Sequence, residues 1–228
     1  MVGVGRFERV LLVCGAIGAV LFVVLFVVDG ALRVDYSPLR HPVSALSIGE
    51  SGWMQAANFI VTGLLFLACA VGLRPALRRL GGGPWVPVLI GLVGVGLIGA
   101  GFFATDPISG YPLGTPPVSP VRTTHGVLHD LFSTPVFTAL PAASCVVGYR
   151  LARTGHRAWA AYSIGTAVVF LIGFVLAGVG FAQNPVLMPV GGLLQRLTLV
   201  VGFGWLAALA ISLPRFPERP DPVAGPRA

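Results

Sequence analysis

The chain has 228 residues, of which 55% are apolar and only 10% charged, with a mean hydropathy of +0.88. A soluble domain carries about a quarter charged residues, so a water-covered globule is excluded and lipid must cover much of the surface. The net charge of +7 does not point to nucleic acid, because all fifteen basic residues are Arg and they cluster in short groups at the ends of apolar runs. That is the pattern of topology determinants, not of a phosphate-binding face.

Residues 1–9 carry Arg6, Glu8 and Arg9 ahead of an unbroken apolar run, which predicts a first span over 10–28. The run is longer than a signal-peptide core and no small-x-small cleavage site follows it, so an uncleaved span is expected. Gly15 and Ala19 make a small-xxx-small pair suited to facing another helix. A polar connection follows, in which Pro38 and Pro42 interrupt helix. The second span is predicted over 54–73, and RPALRRLGGGP (74–84) reads as a tight basic turn. The third span, 85–104, is rich in Gly, which lets helix backbones approach closely.

The connection 105–125 holds five prolines and reads as a structured loop or an extended lid. The fourth span, 126–149, contains Pro135 and Pro141, where kinks are expected. RLARTGHR (150–157) is a second basic turn, and the fifth and sixth spans are predicted over 158–181 and 193–213. Residues 214–228 form a Pro- and Arg-rich tail. The expectation is an all-α polytopic membrane bundle of six transmembrane helices, a single domain over 1–213 of a multi-pass cell-membrane protein with membrane lipids as partners. Eleven of the fifteen Arg lie at the N-terminus, the two basic turns and the tail, which makes that side, and both termini, cytoplasmic. Cys14, Cys69 and Cys145 all fall inside apolar runs and read as small buried hydrophobes. Trp53, Trp85, Trp159 and Trp205 read mostly as interface anchors.

The opposite side gathers the chemistry. Asp29, Asp35, Glu50, Asp106, Asp130, His41, His125 and His129 lie there, and the stretch Thr105–Asp130 is the densest part. An ionisable residue inside a span is a functional candidate by default; Asp130 and Arg196 fit that description and are candidates to pair with each other. His125 and His129 are four apart on one helix face, a spacing that can bind one metal, with His41 or Asp106 as third ligand. Zinc with a bound water there would hydrolyse a lipid or amide bond at the outer leaflet. The plainer alternative is that the histidines hydrogen-bond the helix start and the long loop, and that Asp106, before Pro107, caps a turn. Arg122 is placed to meet a headgroup phosphate or water. A Gly-rich phosphate loop and a GxSxG elbow are absent from the sequence. Haem ligation fits poorly, because His125 and His129 on one face cannot both be axial ligands.

The segments YSPLRHPVSALS (36–47), FFATDP (102–107), GVLHDLFS (126–133) and GGLLQRLTLVVGFGWLAALAISL (191–213) resemble, in order, the bacterial and archaeal membrane family called domain of unknown function 998. The resemblance covers most of the chain. It implies six spans and gives weight to His41, Ser44, Asp106, His129 and Arg196, without implying a reaction. Members of that family often carry an acid where Gln195 stands, so a carboxylate role at that position does not transfer. A fainter similarity is to alkaline ceramidase and adiponectin-receptor-like membrane hydrolases, which combine Ser, His, Asp and an HxxxH pair around zinc; here the order and the spans differ.

Two readings follow. One is a non-catalytic membrane protein whose outward pocket, drawn from His41, Ser44, Asp106, Arg122, Asp130 and Arg196, binds a lipid or small polar ligand. The other is the zinc hydrolase, with His125, His129, His41 and Asp106 as ligands. A transporter has weaker support, since broken helices and midplane charges are few.

Overall fold

The structure, a computed structural model, describes residues 5–216. It is built on six helices: α1 (Arg6–Leu32), α2 (Gly52–Arg79), α3 (Trp85–Phe102), α4 (Thr124–Arg153), α5 (Arg157–Phe181) and α6 (Gly191–Ser212). All six are long and apolar enough to cross a membrane, and among the described residues no β-strand forms.

The helices overrun several expected boundaries. Residues 74–79, expected in a turn, continue α2, because Ala76, Leu77, Arg78 and Arg79 are good helix formers and Pro75 is accommodated within the helix. The first basic turn shrinks to 80–84 and the second to 154–156. Helix α4 is continuous through Pro135 and Pro141. Leu213–Arg215 adds a short 3-10 turn, and the tail from 217 onward lies outside the described residues.

Each helix packs on the next in sequence, and α6 returns to pack on α1, closing a circuit. Helix α1 illustrates why. It is apolar all round, as a membrane span must be. One stripe, Leu12, Gly15, Ala19, Phe22 and Phe26, is buried; the other, Val13, Ile17, Val20 and Val24, is exposed to lipid. Lipid tails are as apolar as the core, so burial alone does not drive helices together and close van der Waals packing must do so. The glycines supply it. A Cβ on Gly63 of α2 would lie 2.6 Å from the carbonyl oxygen of Gly94 on α3, and one on Gly99 of α3 would strike the Phe132 ring of α4. Elsewhere in the circuit Phe22, Phe66 and Phe203, from α1, α2 and α6, pack ring against ring. Trp205 is a correction: it is fully buried, with Nε1 donating to the Ser163 hydroxyl at 3.0 Å, so it joins α6 to α5 instead of anchoring an interface.

The circuit has two unlike ends. One carries the start of α1, the finish of α6 and the two tight turns 80–84 and 154–156. The other, the loop end, carries the long connections 33–51 and 103–123 and the short connection 182–190.

Candidate functional site

The connection 33–51 has little regular structure beyond a 3-10 turn at Val43–Ser47, so its backbone carbonyls need partners from elsewhere. Two arginines supply them. Arg33 pairs with Asp29 at 2.8 Å and donates to the carbonyls of Leu46 (2.6 Å), Ser51 (2.7 Å) and Ile48 (3.2 Å). Arg196, buried on α6, donates to the carbonyls of Pro38 (2.6 Å), His41 (2.9 Å) and Gly192 (3.0 Å), and to the Tyr36 hydroxyl. Its guanidinium also lies over the rings of Tyr36 and Phe26. Burial pushes the Tyr36 phenol up to about 12 against the pull of Arg196, so it stays neutral and donates to the Pro42 carbonyl at 3.0 Å.

Helix α6 completes the dock. The Leu193 N–H donates to the Leu39 carbonyl at 2.9 Å, and the Gln195 side-chain oxygen accepts the Val43 N–H at 2.8 Å. Gly192 makes room, since a Cβ there would run into the carbonyls of Pro38 and His41.

His41 joins this loop to the next. Its Nδ1 accepts the Ser37 N–H at 2.9 Å, and the backbone of Ser109 in the 103–123 connection partners the other side of the ring. Its ring packs against Tyr36 and Tyr111. Burial, with Arg40 and then Arg196 adding to it, pushes His41 below the usual imidazole range, while the bond to Ser109 acts the other way.

Asp106 serves the helix start. One oxygen accepts the Thr123 hydroxyl at 2.6 Å and the other the Thr123 N–H at 3.1 Å; Thr123 in turn caps α4 by accepting the Gly126 N–H at 3.0 Å. The carboxylate sits where a Cβ on residue 126 would be. His129, buried, puts Nδ1 2.7 Å from the Phe103 carbonyl and 3.2 Å from that of Ala100, serving the exposed carbonyls at the end of α3.

These placements overturn two expectations. Asp130 does not pair with Arg196: it pairs with Arg122 at the exposed edge of α4, while Arg196 is turned inward by loop carbonyls. Nor do His41, Asp106, His125 and His129 converge as a zinc ligand set. His125 is exposed and lies edge-on to Phe103, His129 is drawn to α3, Asp106 is taken up by Thr123, and His41 sits among Tyr36 and Tyr111. Among the described residues no three His, Cys, Asp or Glu side chains are grouped to hold a metal.

Beside this scaffold lies a cavity of about 170 Å³. Its apolar wall is Phe59, Leu97, Ala100, Val136, Phe137, Phe181 and Leu199; its polar groups are Ser44, Thr105, His129, Asp130, Ser133 and Gln195. Of the candidates drawn from sequence, Ser44, Asp130 and His129 line it. His41, Arg196 and Asp106 instead hold the loops around it, and Arg122 reaches it only through Asp130. Ser133 and Thr105 were not singled out. The i, i+4 spacing from His129 to Ser133 was the available signal for the first.

The model of the family described as "Protein of unknown function (DUF998)" matches residues 16–212. No curated protein and no solved structure matches the chain, so the fainter similarity to membrane hydrolases is not shown.

Proposed function

The chain belongs to this family of unknown function (DUF998), and on that premise we propose that it is a multi-pass cell-membrane protein that binds a small amphipathic molecule in its loop-end cavity. One observation carries the reading. An otherwise apolar cavity gathers its polar groups from several separate elements, the arrangement by which binding sites fix orientation within an apolar enclosure. The surrounding loops are held by buried Arg196 and half-buried Arg33, which supports a pre-formed site.

We place the loop end on the outer side of the membrane. The arginine excess at the opposite end supports this orientation. The loop end holds only four of the fifteen Arg, namely Arg33, Arg40, Arg122 and Arg196.

The test fills the cavity. Ser133→Phe places a ring in it. In detergent-solubilised protein, 4-fluorobenzyl alcohol should give a protein-bound 19F resonance with wild type and none with Ser133→Phe. Equal signals from the two proteins would remove the reading.

A further inference from the structure

Two of the cavity's polar groups, His129 and Gln195, are held by backbone partners, and what they have left to offer selects a ligand class. His129 Nδ1 faces two carbonyl oxygens, of Phe103 and Ala100, so Nδ1 must carry the proton. In the neutral ring Nε2 is then a bare acceptor. The tautomer is set by the end of α3, not by any ligand, because the acceptors are backbone groups that have no other role available. Gln195 is oriented in the same way. Its oxygen accepts the Val43 N–H at 2.8 Å, which fixes the orientation of the amide and leaves both NH₂ hydrogens to offer. Asp130 also lines the cavity, but its carboxylate is paired with Arg122 at the exposed edge of α4. Ser44 and Ser133 can donate or accept. Among the described residues lining the cavity there is no Arg or Lys.

This lining disfavours an anion, which would meet the Nε2 lone pair with no Arg or Lys in the wall. A hydrocarbon lying over the acceptor and the amide would cover both without giving either a partner, which costs free energy. A hydroxyl answers both, since it donates to a bare nitrogen and accepts from an amide. The volume limits the part that sits inside: a cavity of about 150 Å³ holds one benzene ring, so the seated portion has roughly six to eight heavy atoms.

Resting on the proposed binding function, we infer that the cavity selects a neutral alcohol with a compact apolar body, and that the fixed tautomer of His129 makes the selection. The ligand's O–H donates to His129 Nε2, and the apolar body lies against Phe59, Leu97 and Val136.

The experiment compares three probes of one size at pH 8 by 19F NMR titration: 4-fluorobenzyl alcohol, 4-fluorotoluene and 4-fluorobenzoate. The alcohol should bind about tenfold tighter than the hydrocarbon, the worth of one net hydrogen bond, and the carboxylate should not bind. The 15N resonance of His129 Nε2 should move on adding the alcohol and stay on adding the hydrocarbon. His129→Asn keeps a donor for the Phe103 carbonyl but removes the Nε2 acceptor, and should bring alcohol affinity down about tenfold. Equal binding of alcohol and hydrocarbon overturns the selection while leaving the cavity reading intact. Tighter binding of the carboxylate overturns it in favour of an anion site. No bound signal from any probe overturns both.

Discussion

His41 and Arg196 show how much of the loop end rests on single side chains answering backbone groups. A sequence reader sees a buried arginine and looks for a carboxylate. Here the partners are carbonyls of an irregular connection, whose positions no local pattern announces. His41 has a consequence that can be measured. Its Nδ1 accepts the Ser37 N–H, so a proton there would face another donor, next to Arg40 and Arg196 and between the rings of Tyr36 and Tyr111. Because its folded pKa is depressed, the unfolded chain binds the proton more readily, so stability falls as pH drops through the unfolded value of about 6.5. The melting temperature should be flat from pH 8 to 7 and decline below about 6.5. His41→Asn, whose side-chain oxygen can still accept the Ser37 N–H, should flatten that acid limb. An unchanged limb would show that another group controls it.

At the scale of elements, the spans were readable because each is a long and predominantly apolar run, and their ends were not, because residues 74–79 are at once basic and helix-forming. The HxxxH pair shows the limit of face reasoning. His125 and His129 share a side of α4, but α3 ends at Phe102, so only the inner of the two has a neighbouring helix end to bury against. His125, one turn further out, meets only the Phe103 ring among the aromatics. Docking of connection 33–51 on α6 is equally an element-level fact, and Gly192 is its tight point. Gly192→Ala sets a methyl against backbone, which cannot swing aside, so the loop must lift and give up the Leu39 and Val43 hydrogen bonds. The expected loss is about 1–3 kcal/mol, the usual range for overpacking. Gly204→Ala on the same helix, where the added methyl meets open space, is the control and should melt like wild type. Matching melting temperatures for both variants would mean that the loop is not docked through Gly192.

For the whole molecule, the sequence resolves two unlike ends more readily than it resolves a site. Arginine clusters, loop lengths and the density of polar residues in Thr105–Asp130 all separate them, and Thr105, Ile108, His129 and Asp130 of that stretch do line the cavity. The cavity itself was not legible, because it is made where the ends of five helices and two connections meet, and each contributes only a few residues. The proposed orientation is checked by labelling in a cysteine-free background. Val118→Cys in the long loop should react with a membrane-impermeant maleimide in intact cells, and Thr154→Cys in the basic turn only after lysis. The reverse pattern would invert the molecule and put the cavity on the cytoplasmic side.

The closed order of the helices also bears on where the chain needs to begin. Helices α1 and α6 are neighbours, and the start of one lies at the same end as the finish of the other. Each helix packs chiefly on the two beside it, so the helix-to-helix contacts do not depend on which short turn is left open. Joining the two termini and opening the chain at the short turn 154–156 would preserve every helix neighbour and leave both long loops whole. The architecture is indifferent to its own first residue, and a circularly permuted gene would specify the same ring of helices around the same cavity.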